Sequence, residues 1–224
     1  MNRRELNKQL KRDKIVSTAK GIILEHGIDT LTMRYLADQS GVSSRTPYNL
    51  FESKTAILVE IIFDMAKLLK VSKINTSSQL LLERLIKLPQ VVGTLCSTEH
   101  EFYQDILWGI MSSDDKISRG KINTVFADII SPLVATAIEN KECSIKINVD
   151  IITSHLVTQF LAIIGMWGGS QLKLDNAIAN IQFSWTNTLL PYSTRSSKAW
   201  LTQAQFEYGH LLEKIIADSD TTNQ

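Results

Sequence analysis

Two arginines, Arg34 and Arg45, have the side chains best suited to recognition chemistry in this sequence. A guanidinium group can donate two parallel hydrogen bonds to the O6 and N7 atoms of a guanine base. We therefore take Arg34 and Arg45 as candidates for reading bases in the major groove of DNA. For either arginine alone, a phosphate contact or plain solvation is an alternative interpretation.

Hydroxyl and amide side chains lie close to these arginines in the sequence. Thr32 can cap a helix, which would turn backbone N–H groups towards a phosphate, although its role as a cap alone would also explain it. The hydroxyl of Thr46 can contact a phosphate in the same way that side-chain hydroxyls commonly do. Ser44 and Asn49 are further polar candidates for DNA contacts.

Motifs typical of enzymes are absent from the sequence. There is no glycine-rich phosphate loop, no His-Glu-x-x-His and no Gly-x-Ser-x-Gly. Cys96 and Cys143 match no metal-binding spacing, and His100 has no second ligand one helical turn away. We therefore expect no catalytic residue, no metal and no cofactor, with an all-α enzyme or an interaction scaffold as remote alternatives.

The hydrophobic spacing around the candidate residues is helical. Thr32 is suited to cap a second helix, and Gly41 to form a tight turn with positive φ. Ser43 or Ser44 can cap a third helix, and Ser53 a long fourth helix. The first helix is marked by apolar residues at i, i+4, i+7 and i+8, namely Ile15, Ala19, Ile22 and Ile23. Three short helices before a long one, with a glycine turn between the second and third, are the helix-turn-helix arrangement.

The rest of the chain also has helical spacing, and sustained β alternation is absent. The polar stretch from Ser72 to Ser78 is typical of a connection between helices. Pro89 and Pro132 should kink or end the helices that contain them. Further helices are predicted near 78–93, 98–112, 116–140, 149–168, 175–190 and 197–217. The predicted fold class is all-α.

Charge is distributed unevenly along the 224 residues, whose formal net charge is +1. Residues 1–73 hold 13 Lys and Arg against 8 Asp and Glu, a net of +5, whereas residues 74–224 have a net of −4. A basic front on an acidic body favours a nucleic-acid contact, although short basic N-termini are common. We find neither a secretory signal nor an apolar run of about 18 residues, so we expect a soluble cytoplasmic protein without a membrane.

The residues around the helix-turn-helix carry a family resemblance. They include Ile15, Ala19, Gly27, Leu31 through Ala37, Gly41-Val42-Ser43, Thr46, Tyr48, Phe51, Ser53 and Lys54. This set resembles the N-terminal domain of TetR-family transcriptional regulators. The resemblance implies phosphate contacts by Tyr48 and Lys54, although Tyr48 could instead be a partly buried structural residue. Arg45 and Pro47 depart from the family pattern, so the operator sequence cannot be taken from relatives.

The resemblance also implies the domain organisation. It predicts a helix-turn-helix DNA-binding domain over residues 8–70 and a larger helical effector-binding and dimerisation domain over residues 71–224. In this second domain, Trp108, Phe126 and Phe160 are the candidates for an apolar effector pocket, although residues at such helical spacing are more often core than pocket. The helix near 149–168 is apolar nearly all round, which favours burial against a second copy. The candidate interface residues are Leu156, Ile163, Trp167, Ile178 and Trp185.

The expected function follows from this resemblance. We expect a homodimeric repressor that binds double-stranded DNA at a palindromic operator and is released by a small apolar effector. A TetR-like DNA-binding factor without an effector is the alternative. The effector, the operator and the regulated genes are not defined by the sequence.

Overall fold

The computed structural model describes residues 2–71, 80–144, 146 and 148–222. Nearly all of these residues are helical, and β-type pairing among them is limited to one isolated bridge between Cys143 and Ser193. The predicted all-α fold class is confirmed. The predicted connection from Ser72 to Ser78 lies outside the described residues.

The described part of the chain contains ten α-helices and two short 3₁₀ helices. The α-helices are α1 (Arg3–His26), α2 (Met33–Ser40), α3 (Arg45–Phe51), α4 (Lys54–Val71), α5 (Leu81–Ser97), α6 (His100–Met111), α7 (Lys116–Glu139), α8 (Val149–Gly168), α9 (Leu174–Leu189) and α10 (Lys198–Thr222). The 3₁₀ helices are Ile28–Thr30 and Leu190–Tyr192.

Helix α1 begins well before the apolar residues that predicted it. Asn2 caps the helix, since its side chain accepts from the Arg4 N–H at 3.3 Å. Glu5 completes the cap by accepting from the Asn2 N–H at 3.2 Å. This reciprocal capping satisfies exposed donors at the helix end and fixes its start at Arg3.

The two internal prolines do not end their helices. Pro89 lies inside α5 and Pro132 inside α7, as the predicted helices over 78–93 and 116–140 required, and of the two expected effects a kink stays a prediction. A proline costs one backbone hydrogen bond, but tertiary packing of the flanking apolar residues can outweigh that loss. In α5 these flanking residues are Leu85, Ile86, Leu88 and Val92, all of which are buried.

The first compact unit contains residues up to 65 together with residues 99–122. Gly109 on α6 lets this helix approach the first 3₁₀ helix and α4, because a Cβ there would lie 2.8 Å from Ile28 and 3.0 Å from Leu58. The core is built from apolar side chains of α1, α2, α4 and α6, including Ile15, Ala19, Ile23, Leu36, Ala37, Ile57, Ile61, Ile62, Ile106 and Ile110.

The second compact unit contains residues 66–98 and the chain from 123 onwards, with α9 at its centre. Helix α9 packs against α5, α8 and α10. A Cβ at Gly93 would lie 2.1 Å from Ile178 Cδ1, so the glycine permits a close approach of α5 and α9. The buried Gln182 side chain donates to the Ile86 carbonyl and contacts the Tyr208 hydroxyl, both at 3.3 Å. This amide links three helices through one polar group.

A buried carboxylate takes the place of a local helix cap in the second unit. The N-cap of α5, Leu80, makes no side-chain cap hydrogen bond. Glu142 instead accepts from the backbone N–H of Leu81 at 3.0 Å and of Leu82 at 2.9 Å. Negative charge at a helix N-terminus is favourable. Glu142 therefore joins the start of α5 to the segment after α7.

Helices α7 and α8 are long and apolar enough to cross a membrane by length and composition, with mean hydropathies of 1.3 and 1.5. This differs from the expectation that no segment would reach that length. Core helices of soluble proteins pass the same test, and both helices have a buried face here. Their buried residues include Ile130, Val134, Leu156, Phe160 and Ile164.

The predicted domains, residues 8–70 and 71–224, were defined by their expected functions, and their boundaries stay a prediction. By contacts alone, the first unit also takes up residues 99–122.

Candidate nucleic-acid interface

The α2–turn–α3 segment is built around a left-handed glycine. Thr32 caps α2, since its hydroxyl accepts from the Tyr35 N–H at 3.2 Å. At the other end of α2, Gly41 has φ 63° and ψ 38°. The Val42 N–H then donates to the Ala37 carbonyl at 3.0 Å. Only a residue without a Cβ adopts this conformation without strain, so Gly41 sets the tight turn predicted from the sequence.

The side chains of α3 divide between a buried and an exposed face. Pro47 and Phe51, one turn apart, are buried against the rest of the unit. Arg45, Tyr48 and Asn49 are exposed, and their i, i+3, i+4 spacing places them on one face. About half of the Tyr48 side chain, 54%, is accessible to solvent. Helix α3 therefore presents a guanidinium, a phenol and an amide together.

The residues flanking this face also lie at the surface. Ser44 precedes α3 and is exposed, although its side chain makes no cap hydrogen bond. Thr46 is half-buried, and its hydroxyl lies 2.8 Å from that of Ser43. Thr32 and Arg34, at the start of α2, are both exposed. The structure thus brings the predicted α2 and α3 residues to the surface of one unit.

Lys54 is bound to the protein backbone. Its ammonium donates to the Ile28 carbonyl at 2.6 Å, which ties the start of α4 to the first 3₁₀ helix. Desolvation by burial lowers the pKa of Lys54, an effect opposed by the carboxylate of Asp29. An ammonium has three N–H donors, so this bond leaves donors for other acceptors. The phosphate contact that the family resemblance implies for Lys54 stays a prediction.

Arg12 is a positioning residue that the sequence pattern did not distinguish from its basic neighbours. Its guanidinium donates to the Leu50 carbonyl and pairs with Glu60. It also lies over the Phe51 ring, 4.3 Å from the centroid. These contacts fix the end of α3 against α1 and α4. A cation that makes three intramolecular contacts is part of the scaffold.

A second set of hydrogen bonds holds α4 in the first unit. Ser53 caps α4 by accepting from the Ala56 N–H, and its hydroxyl donates to the Asp115 carboxylate at 2.5 Å. Hydrogen bonds from the Ser118 backbone, the Ser53 hydroxyl and the Ser118 hydroxyl lower the pKa of Asp115 to about 2. The Asp115 carboxylate is therefore ionised across the physiological range and anchors the start of α4.

The N-terminal half of α1 lies beside α3. Together they border an open groove of about 750 Å³. Arg4, Lys8 and Lys11 line it from α1, and Thr46 and Asn49 line it from α3. The net charge of residues 1–73 did not distinguish these three basic residues, and only the structure places them across a groove from the α3 face.

The candidate effector residues lie in both units. Phe126 and Phe160 are buried in the second unit with their ring centroids 4.5 Å apart. The Trp185 ring lies 6.2 Å from that of Phe160, and its indole N–H donates to the Leu156 carbonyl at 3.0 Å. Trp108 belongs to the first unit, where 48% of its side chain is exposed.

The candidate interface residues lie mostly in the core of the chain itself. Leu156, Trp167 and Trp185 have no exposed surface, and Ile178 has 4%. Of the five, Ile163 alone is half-buried. This differs from what we expected for side chains that meet a second copy. Helices α8 and α9 pack against each other within the chain, where the Trp185 indole donates to the Leu156 carbonyl, and the dimer-interface assignment stays a prediction.

Helices α7 and α8 border a second, open groove of about 380 Å³ in the second unit. Its lining is polar and includes Asp128, Asp150 and Thr153. The Thr153 hydroxyl is buried without a hydrogen-bond partner.

Neither cysteine is suited to act as a nucleophile or as a metal ligand. Burial raises the pKa of Cys96 to about 12, and burial with the neighbouring Glu142 carboxylate raises that of Cys143 to about 11. Both thiols therefore stay protonated near neutral pH, whereas nucleophiles and metal ligands are thiolates. In the described part of the chain, no three His, Cys, Asp or Glu side chains group as a metal site would require.

The comparison with protein families decides what the α1–α4 segment is. The family described as bacterial regulatory proteins, tetR family, matches residues 15–61. Residues 15–61 are a tetR-family domain. The resemblance drawn from the sequence is thus confirmed, and the match covers α2, α3 and the turn between them. No curated protein matches the chain.

Solved structures extend the likeness from the tetR-family domain to most of the chain. The repressor FadR of Thermus thermophilus, in complex with lauroyl-CoA, has a TM-score of 0.66 at 16% identity, covering 80% of this chain and 95% of its own. A TetR regulator from Rhodococcus sp. RHA1 has a TM-score of 0.65 at 16% identity, covering 81% and 97%. RolR in complex with resorcinol has a TM-score of 0.61 at 14% identity, covering 89% and 95%. The chain therefore has the tetR-family fold.

Proposed function

We propose that this chain is a cytoplasmic transcriptional repressor that binds a palindromic DNA operator as a homodimer and is released by a small apolar effector. One observation carries the DNA-binding part of the proposal. Within a tetR-family domain, Pro47 and Phe51 anchor α3 while Arg45, Tyr48 and Asn49 stand exposed on its other face. An α-helix with such a face fits the major groove, which is about 12 Å wide.

The exposed side chains have two kinds of task in this proposal. Arg45 and Arg34 read guanines, because a guanidinium matches the O6 and N7 acceptors of guanine. Tyr48 and Thr46 contact phosphates through their hydroxyls, and Lys54 does so with the donors that Ile28 leaves available. Thr32 caps α2 and turns its first N–H groups towards a phosphate. Ser44 and Asn49 complete the polar surface.

Selection of bound sequences from a random duplex library tests the proposal with the full chain. We expect the bound pool to converge on a palindrome whose half-sites lie about 10 base pairs apart or slightly more, since two recognition helices are related by a two-fold axis. Convergence on a single half-site would contradict the dimeric part. Failure to retain any duplex at low salt would contradict DNA binding altogether.

The dimer surface is proposed on the exposed side of α8. Ile151 is 66% exposed and Met166 is 41% exposed. Residues Ile151, His155, Thr158, Ala162 and Met166 form one exposed stripe along the helix at i, i+4, i+7, i+11 and i+15. A two-fold axis beside this stripe would bury it against itself in an isologous contact. Half-buried Ile163 lies at its edge.

A charge on the α8 stripe should prevent dimerisation. We expect Ile151→Glu together with Met166→Glu to give a folded monomer, because a dimer would have to bury unpaired carboxylates. Burying even an uncharged polar group without a partner costs roughly 2–7 kcal/mol, and burying a carboxylate costs more. Sedimentation velocity at micromolar concentration measures the change. Phe206→Glu is the matched control, since Phe206 is 72% exposed on α10. A wild-type monomer, or a monomer from Phe206→Glu alone, would contradict this assignment.

Two solved structures with the same fold support the effector part of the proposal. A FadR structure contains lauroyl-CoA and a RolR structure contains resorcinol. In this chain the buried aromatic pair Phe126 and Phe160 is the candidate lining of an apolar effector pocket. Because that pair and Trp185 pack against one another, a repressor without an effector is the second candidate.

Thermal shift with acyl-CoA esters, fatty acids and phenols separates the two candidates. At a hundred times its Kd, a ligand stabilises the folded state by about 2.7 kcal/mol, or about 5–10 °C in Tm for a chain of this size. A true effector must also weaken DNA binding, because the coupling between the two sites is reciprocal. A panel that changes neither Tm nor DNA affinity would favour the factor without an effector.

A further inference from the structure

The first three turns of α1 are a helical extension that precedes the family match. The tetR-family match begins at residue 15, whereas α1 begins at Arg3. Twelve residues of continuous helix therefore project about 18 Å before the matched segment, at 1.5 Å per residue. The residues of this extension are exposed, apart from half-buried Arg12.

The charges on this extension are sorted by face. Arg4, Lys8 and Lys11 follow the i, i+4, i+7 pattern and share one side of the helix. The acidic residues lie elsewhere and are engaged locally. Glu5 caps the helix with Asn2, and Asp13 accepts from Gln9 at 2.7 Å. The extension therefore has a positive face whose charge is not cancelled by its own acids.

This positive face lies across a groove from the recognition helix. The groove, of about 750 Å³, is lined by Arg3, Arg4, Lys8 and Lys11 on one side and by Thr46 and Asn49 of α3 on the other. Its lining contains no carboxylate. A polyanion in contact with the exposed face of α3 thus meets these four cations next.

We infer that the N-terminal extension of α1 is a second DNA-backbone contact, in which Arg3, Arg4, Lys8 and Lys11 bind phosphates of the strand beside the recognition helix. This inference rests on the proposed DNA binding. From Arg4 to Lys11 the helix rises about 10 Å, which matches about three phosphates of one strand at 3.4 Å of axis each. The basic face can therefore contact more than one phosphate.

Two other basic residues of α1, Arg12 and Lys20, have partners within the protein and are excluded from this assignment. Arg12 pairs with Glu60 and the Leu50 carbonyl, and Lys20 pairs with Asp64 at 3.3 Å. These two cations hold the domain together and are not assigned to DNA. The cations of the groove are exposed, so their replacement leaves the core of the unit intact.

The test compares the full wild-type chain with Lys8→Gln and Lys11→Gln together, on the selected operator and on a random duplex of equal length. Each lost phosphate contact should make the slope of log K against log salt less negative by about 0.9. It should also weaken the affinity on the order of tenfold at 50 mM salt. Both duplexes should lose affinity alike, because phosphate contacts carry no sequence information. Lys198→Gln together with Lys214→Gln, at two exposed lysines on α10, controls for the same change in net charge.

Three results would overturn the inference, and they are distinguishable. If the Lys8/Lys11 variant matches the Lys198/Lys214 variant in affinity and salt slope, the extension does not contact DNA although the proposed function holds. If affinity falls on the operator alone, these lysines do not act through phosphates. If the wild-type chain binds neither duplex, the proposed function fails and the inference fails with it. Unchanged Tm values for both variants confirm that the comparison is between folded proteins.

Discussion

Glu142→Ala is expected to lower the free energy of unfolding by about 3–6 kcal/mol, because a hydrogen bond to a charged group contributes roughly 1.5–3 kcal/mol and two are lost. The Glu142 carboxylate is 4% exposed and accepts from the backbone N–H groups of Leu81 and Leu82. Without it, the first turn of α5 has no side-chain cap. For a chain of this size the loss corresponds to a fall in Tm of about 6–24 °C, measured by calorimetry.

Glu139→Ala is the matched control for this variant. Glu139 is exposed at the end of α7, only three residues earlier, and its replacement should change stability by less than about 0.5 kcal/mol. Glu142→Gln should have an intermediate effect, because the amide keeps one acceptor oxygen but turns an NH₂ group towards the other N–H. Equal Tm values for Glu142→Ala and Glu139→Ala would mean that the carboxylate does not stabilise α5.

The helices themselves could be predicted because their signals are local. The N-cap at Thr32, the left-handed turn at Gly41 and the cap at Ser53 each depend on residues within a few positions in the sequence. The structure has all three. The cap at Glu142 could not be predicted in this way, because its two donors lie 60 and 61 residues away.

The sequence could not separate chain core from partner interface. An apolar helix is equally favoured by burial within its own chain and by burial against a second copy. Trp185 shows the difference, since its indole donates to the Leu156 carbonyl inside the same unit. The burial of α9 within its own chain depends on tertiary contacts such as Gly93 of α5 beside Ile178 and Gly209 of α10 beside Phe183.

The sequence also could not decide which basic residues near the N-terminus hold the fold together and which are available to bind DNA. Arg12 and Lys11 are adjacent in the sequence, yet Arg12 lies over the Phe51 ring while Lys11 faces an open groove. Neighbouring helical residues point 100° apart, so net charge along the chain cannot assign a role to either. The helix-turn-helix could be located from sequence, but the division between positioning and binding cations required the fold.

Arg45→Ala is expected to weaken operator binding by about 2–6 kcal/mol in a dimer, because one bidentate guanine contact contributes about 1–3 kcal/mol and each half-site loses one. Arg45 is exposed at the start of α3, where recognition helices contact bases. Arg34→Ala, at the start of α2, is expected to follow the same rule if it also reads a base. Bandshift titration on the operator and on a random duplex, at several salt concentrations, measures both effects.

The difference in affinity between the operator and a random duplex separates base reading from non-specific electrostatic attraction to DNA. If Arg45 reads a guanine, its alanine variant loses affinity on the operator and little on the random duplex, and the loss shrinks when the contacted guanine is replaced. Arg195→Ala, which removes an exposed arginine outside the tetR-family domain, should leave both affinities within about twofold, since no assigned base or phosphate contact is lost. A uniform loss across sequences for both Arg34→Ala and Arg45→Ala would make these arginines electrostatic contacts only. In that case the specificity of the domain would have to come from Asn49, Tyr48 and the shape of the DNA itself.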